Sequence, residues 1–291
     1  MKLFRLFALL TIWMFSVGVS AQDDHWAQHN PNEKAALDGH VILTQLIDTF
    51  WEDGKGLTFE AMKGQPAEVL QKYLGYLQKI PVTKLNRDEQ LAYWLNLHNA
   101  GVIHLLVSRD IPTEKKGDEE IAILSKQRGT PEAPGSWWQE KIVTVEGRQL
   151  SLADIEQDIL LRHWADPMTV YGIYDATKGG PGIAMKAFAG KTVHEQLIEA
   201  ARTFINNEDR AVKLEGNNAT LSSLYLWHKS VFGDNSAVVE HLKNYADKSL
   251  AAKLSNVAVK AHQFSWEVAQ HVRPAKGFAI GSGANPAGRI E

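Results

Sequence analysis

There is no cysteine among the 291 residues of this chain. That excludes disulfides, thiolate catalysis, cysteine-ligated zinc and a lipidated N-terminal cysteine. Charge of one sign is not in excess either. Lys and Arg number 31 against 34 Asp and Glu, a formal net charge of -3, so nothing points to a nucleic-acid partner. The 11 histidines include no pair at metal-binding helical spacing and no HExxH, which leaves a zinc hydrolase unsupported. A GxSxG elbow for a serine hydrolase is missing too. "AGKT" at 189–192 echoes the end of a phosphate loop, but its first glycine position is Met185 and no strand pattern precedes it. No cofactor is therefore expected. Internal repeats and low-complexity blocks are also lacking.

What is present is ordinary globular composition, 44% hydrophobic and 22% charged. At this length the buried fraction is large enough for a core to hold the fold without disulfides. Lys2 and Arg5 precede an apolar run from Leu6 to Val19, and Val19-Ser20-Ala21 offers the small residues a signal peptidase prefers. The pattern predicts cleavage after Ala21, a periplasmic or secreted protein, and no stable membrane span after cleavage. An uncleaved anchor is the alternative, because the apolar run is long for a signal. The expected organisation is a signal peptide over 1–21, a loose polar leader over 22–37, a globular domain over 38–272 and a Gly- and Pro-rich disordered tail over 273–291.

Within the domain, 41–51 and 67–79 read as helices, the second with Val69, Leu70, Tyr73, Leu74 and Leu77 on one stripe. The segment from Asn86 opens with a capping-box pattern, Asn86 with Glu89, and runs apolar on nearly every side from Leu91 to Val107. It should lie in the centre of the domain. Asn96 and Asn99 share a face inside it. Each must bond to neighbouring backbone or line a polar pocket, since an unsatisfied buried amide costs about 1–3 kcal/mol. Residues 110–136 read as a charged surface excursion, and "KIVTVEGRQLSL" as a hairpin around Glu146-Gly147. A helix follows, capped by Ser151 with Asp154 at its third position. In helical spacing Glu156 and His163 fall in that helix's apolar sector. A carboxylate aimed at the core is costly unless paired, so Glu156 is either a hydrogen-bonding post or a site residue.

"MTVYGIYD" (168–175) has strand-like content, and "VHEQLIEAARTFINN", "LSSLYLWHKSVF" and "SAVVEHLKNYA" read as helical. "VAVKAHQFSWEVAQ" fits a last strand or a short helix equally well. The expected class is α+β, a helix-rich single domain with a small β-sheet. Core packing accounts for the 9 tryptophans better than carbohydrate stacking does.

"AYWLNLHNA" (92–100), V-x-V-x-G-x-x-L-S-L-x-D-I-E ending at Glu156, "DP" (166–167) and "LSSLYLWHKSVFGD" (221–234) occur in that order. Together they resemble the family called domain of unknown function 547, over about residues 38–270. The resemblance implies a mostly helical α+β domain, common in exported bacterial proteins, with a distant relation to papain- and transglutaminase-like folds. It also implies a His on the strand after Asp-Pro, then a Cys, then a second Cys. Those positions are Val170, Asp175 and Gly180 in this chain. The His that follows Ile-Glu is replaced by Gln157, the Tyr between the two asparagines by His98, and a Tyr-Asp-Trp by Phe264, Ser265 and Trp266. A carboxylate at 175 cannot do the work of a thiolate.

Two functions follow. One is a non-catalytic binding domain for a peptide, a cell-envelope fragment or a partner protein. Its binding residues would be Trp94, Asn96, His98, Asn99, Asp154, Gln157 and Asp175. The other is a carboxylate-dependent hydrolase or transferase with Glu156 as catalytic acid or base, its pKa raised by apolar surroundings.

Overall fold

Helix α3, Arg87–Val107, is the element on which the rest is laid. It belongs to a computed structural model that describes residues 24–33, 40–52 and 56–270. The signal peptide and the tail expected from the sequence fall outside those residues. Asn86 caps α3, its side-chain oxygen accepting from the backbone N–H groups of Asp88 (3.1 Å) and Glu89 (3.0 Å). Every residue from Glu89 to Val107 except His104 is buried, as the apolar sequence predicts. At Gly101 the helix is closely packed: a Cβ there would stand 3.0 Å from Leu152 Cδ2 and 3.1 Å from Ile142 Cδ1, tighter than ordinary contact. Helices α1 (Val41–Phe50) and α2 (Gln65–Leu77) pack in sequence onto α3. The stripe of Val69, Leu70, Tyr73, Leu74 and Leu77 is buried as expected. Between α1 and α2 lies the short pair β1 (Trp51–Glu52) and β2 (Gly56–Leu57).

The leader read as loose is pinned where it is described. Trp26 is buried with its ring 5.0 Å from that of Trp94, and Gln90 donates to the Gln28 carbonyl at 2.7 Å.

Past α3, strands β3 (Thr113–Lys116) and β4 (Glu119–Ala122) form the exposed hairpin of the expected surface excursion. The next turn breaks that expectation. Helix α4, Ser125–Arg128, turns inward and buries Leu124 and Arg128. After α5 (Ser136–Gln139), the hairpin β5 (Lys141–Val145) and β6 (Arg148–Ser151) turns at Glu146-Gly147, as read from the sequence. Both turn residues have positive φ, 46° and 78°, the signature of a tight hairpin turn.

A π-helix, Asp154–Leu160, and the single turn α6 (Leu161–His163) follow. Residues 168–175 do not form the expected strand. Asp166 accepts from the Met168 N–H at 2.8 Å and Pro167 takes the first helical position, so α7 (Pro167–Tyr171) forms instead. Capping chemistry and burial of Val170 and Tyr171 override their β propensity.

Helix α8 (Val193–Ile205) covers α7 and begins a second core around Tyr171, Phe204, Tyr225, Phe232 and Leu242. That core is closed by β7 (Val212–Glu215), β8 (Asn218–Ser222), α9 (Ser223–Trp227), α10 (Lys229–Phe232), α11 (Asn235–Tyr245), α12 (Lys248–Lys253) and β9 (Ala258–Gln263). The segment read as one helix from Leu221 is thus a strand end and two helical turns. The ambiguous C-terminal segment is a strand, parallel to β8, while β7 is antiparallel to it. The architecture is α+β, helix-rich with small sheets.

Both buried asparagines serve this architecture. Asn96 donates to the Phe188 carbonyl (2.7 Å) and accepts from the Phe188 N–H (2.9 Å). Asn99 donates to the Gly172 carbonyl (2.9 Å) and accepts from the Tyr174 N–H (3.1 Å). Each amide is a two-point clamp that fixes a passing irregular segment to α3. Asn96→Ala should therefore orphan two backbone groups, with a loss on the order of 1–3 kcal/mol for each. Denaturant unfolding measures it, and a change of only a few tenths would contradict the clamp.

Candidate functional site

The π-helix starts from a reciprocal cap. Ser151 Oγ accepts from the Asp154 N–H at 3.1 Å, and Asp154 accepts from the Ser151 N–H (2.6 Å) and hydroxyl (2.7 Å). Lys141 also contacts Asp154. Asp154 is thus a capping residue, whose pKa these bonds hold below the ordinary value against the pull of burial. The winding then widens: the Leu161 N–H reaches the Glu156 carbonyl five residues back. Such wide turns are rare and often mark functional positions. Glu156 still points inward and is 1% exposed, whereas His163, placed by helical spacing in the same sector, is only half-buried.

Glu156 meets Arg128. The guanidinium donates to Glu156 Oε1 at 2.8 Å, and its Nε lies 3.8 Å from Asp175 Oδ2. The Arg128 side chain is 5% exposed and its guanidinium stands 5.3 Å from the ring centre of Trp138. Asp175 Oδ1 accepts from the N–H (2.9 Å) and hydroxyl (2.8 Å) of Thr177. His98 Nε2 approaches Glu156 Oε2 at 3.7 Å, beyond hydrogen-bond range, and its Nδ1 lies 3.1 Å from Asn99 Oδ1. Gln157 donates to Glu156 Oε1 at 3.3 Å. A Cβ on Gly180 would fall 2.2 Å from Asp175 Oδ1, so positions 175 and 180 touch.

The structure therefore gathers His98, Asn99, Glu156, Gln157 and Asp175 and leaves out the other candidates. Trp94 is core, packed edge-on against Trp26 and Tyr93. Asn96 holds Phe188 and Val170 lies in the second core. Asn96 and Glu156 share no polar pocket, because both hydrogen bonds of the Asn96 amide go to Phe188. It is Asn99, through His98, that reaches the acid.

The charge states are opposed. Burial pulls the Glu156 carboxyl up, but Arg128 and then His98 outweigh it and hold it well below the carboxylate range. The expectation of a raised pKa is reversed, because its partner is a buried cation and not an apolar wall. Asp175 goes the other way: burial raises it, and Arg128 and Thr177 offset that only in part. Among the described residues, no group of three or more His, Asp or Glu side chains is placed to hold a metal ion.

Beside Gln157 a cleft of about 190 Å³ opens, lined also by Trp227, His228, Ser230 and Glu132. His228 is 4% exposed, and burial lowers its pKa to about 4. Sequence reasoning missed Arg128, Trp227 and His228. A core-facing acid calls for a cation, yet nothing in "ILSKQRGTPEAP" separates Arg128 from Lys126.

Two outcomes follow. Glu156→Gln keeps the shape but leaves a buried guanidinium without its counter-charge, and should cost about 3–5 kcal/mol. Replacing the pair by Arg128→Met with Glu156→Leu should cost clearly less. A double variant less stable than Glu156→Gln in denaturant melts would refute this.

The second outcome concerns pH. His40 and His228 are both buried and both lowered to about 4, chiefly by desolvation. Between pH 6.5 and 4 the unfolded chain takes up protons that the folded chain refuses, so stability falls as pH falls through that window. Each histidine contributes on the order of 2–4 kcal/mol at the limit. Unfolding at pH 7 and pH 5 should show the loss, and His228→Gln should reduce it; a flat or rising stability would count against it.

No curated protein and no solved structure matches the chain. A sequence model of the family described as "Protein of unknown function, DUF547" matches residues 82–205, a shorter span than the 38–270 of the resemblance. It takes in α3, the Arg128 turn, the π-helix and Asp175, and stops before Trp227 and His228. Residues 82–205 are thus similar to the protein family of unknown function DUF547, in line with the ordered motifs of the sequence.

Proposed function

We propose that the chain is a non-catalytic, exported binding domain for a cell-envelope fragment, peptide or partner protein. The observation that carries this reading is the state of position 175, where the resemblance implies a cysteine. Asp175 is 3% exposed, turned onto Thr177 and shared with Arg128. It is a structural carboxylate, and the chain has no cysteine to stand in for it. Glu156, the alternative acid or base, is held ionised by Arg128 and closed off from solvent. A general acid must carry its proton to the substrate near working pH, and this carboxyl has neither the proton nor the access. Export is supported by Lys2, Arg5, the apolar run to Val19 and the small residues ending at Ala21. No described helix is long and apolar enough to cross a membrane.

The test is incubation of the protein, begun at Gln22, with insoluble peptidoglycan and with envelope peptides. The protein is expected to bind without releasing soluble fragments. Fragment release that disappears in Glu156→Gln would replace this reading with the carboxylate hydrolase.

A further inference from the structure

Core packing explains Trp26, Trp94 and Trp138, which are buried in the first core. It does not explain Trp227 and Trp266. With Phe264 they form a cluster whose ring centres lie 4.7 Å (Trp227 to Phe264), 4.7 Å (Phe264 to Trp266) and 5.4 Å (Trp227 to Trp266) apart. All three are half-buried, and none belongs to either core or to the partly buried residues packed against one. Large aromatics clustered at the surface without a core to serve are characteristic of recognition sites.

The trio also joins two depressions. Trp227 lines the cleft of about 190 Å³ with Gln157, His228 and Ser230. Phe264 and Trp266 line another of about 380 Å³ with Ser125, Ser265 and Glu267. We propose that this ridge is a glycan-binding site, on which sugar rings stack while flanking amide, imidazole, hydroxyl and carboxylate groups take the hydroxyls. The proposal rests on the binding-domain reading and names its ligand class.

Three observations favour a sugar chain over a peptide or an anionic ligand. First, the ridge backbone is already occupied. Lys178 and Gly179 donate to the carbonyls of Glu267 and Ser265, Leu124 donates to that of Trp266, and Val268 donates to Ala122. The carbonyls of Ser265, Trp266 and Glu267 are thus spent, which leaves a strand-extending peptide few acceptors on the ridge itself. Second, Glu267 is shared between two lysines, Lys116 at 2.8 Å and Lys178 at 2.9 Å. The lining of the larger depression sets Glu114 and Glu267 against Lys115 and Lys116, so neither sign is in excess to draw an ionic ligand. Third, His228 lines the first cleft although its side chain is almost wholly buried, and its ring nitrogens are not among the described atoms sealed off without a partner. Its imidazole can therefore meet a hydroxyl that enters the cleft. Apolar faces beside a few fixed polar groups are the composition of a small-ligand site.

The test is calorimetric titration of the protein, begun at Gln22, with the linear β-1,4-linked hexasaccharide of N-acetylglucosamine. A peptidoglycan stem peptide is the comparison. Binding of the glycan is expected, and Trp227→Ala and Trp266→Ala should each weaken it roughly tenfold. Melting temperature should hold, because the trio lies outside both cores. Trp266→Phe, which keeps an aromatic face, should retain most of the affinity and decides the matter if Trp266→Ala unfolds. Glycan affinity unchanged in both alanine variants would overturn the ridge. So would binding of the stem peptide alone, or retention on peptidoglycan without glycan binding, though the binding-domain reading survives either. Ridge-dependent binding accompanied by fragment release would keep the ridge and overturn the non-catalytic reading.

Discussion

A guanidinium withdrawn from water is the constraint that shapes the centre of this protein. Removing Arg128 and Glu156 from solvent costs several kcal/mol per ion, and their contact at 2.8 Å offsets this only while geometry and further hydrogen bonds hold. Each segment that contributes to the pair is therefore fixed by it. Arg128 ends a short helical turn, and Gly135 donates to its carbonyl at 2.7 Å. Glu156 comes from a helix wound wider than usual. Asp175 comes from an irregular stretch that Asn99 pins to α3 through Tyr174. None of these three segments is strongly regular, and a wrong register in any of them would strand a charge. Such a pair adds little net stability over apolar residues of the same shape, while loss of either partner alone is costly.

Legibility of the fold in the sequence followed the length and periodicity of each element. Helices α1, α2, α3, α8 and α11 carry long amphipathic or wholly apolar patterns and lie where those patterns place them. Caps with a chemical signature were legible too: Asn86, Ser151 with Asp154, and the turn at Glu146-Gly147. Short elements were not. Residues 168–171 have the composition of a strand, but Asp166 and Pro167 start a helix there, and five residues are too few for periodicity to object. Strands β7 and β8 are four and five residues long and left no clear alternation.

The site was legible on one side only. Glu156 stood out because a carboxylate in an apolar sector breaks the pattern of its own helix. Arg128 did not, because an arginine in a charged loop breaks no pattern, and its burial arises from a contact 28 residues away. The same asymmetry misdirected the acid's chemistry. Apolar surroundings raise a carboxyl pKa and a buried cation lowers it, and only the fold shows which neighbour is present. Trp94 and Asn96 illustrate the opposite error, since residues within a shared motif divide between core packing, loop clamping and the polar cluster.

The division between inside and outside carries the functional argument. Within the domain the strongest polar groups satisfy one another: Glu156 with Arg128, Asp175 with Thr177, Asn99 with Gly172 and Tyr174. A reactive centre needs a group with unspent hydrogen-bonding capacity and a route to solvent. Glu156 Oε2 and His98 Nε2 make no hydrogen bond with any described residue, but both are sealed from solvent. Polar and aromatic groups within reach of solvent lie at the rim, in the His228 ring and in the ring faces of Trp227, Phe264 and Trp266. These groups suit reversible contact, since aromatic faces and a neutral imidazole can hold a ligand but supply no nucleophile toward it. The interior thus fixes the walls of the clefts, and on the proposed reading recognition falls chiefly to side chains that lie downstream of the matched family region.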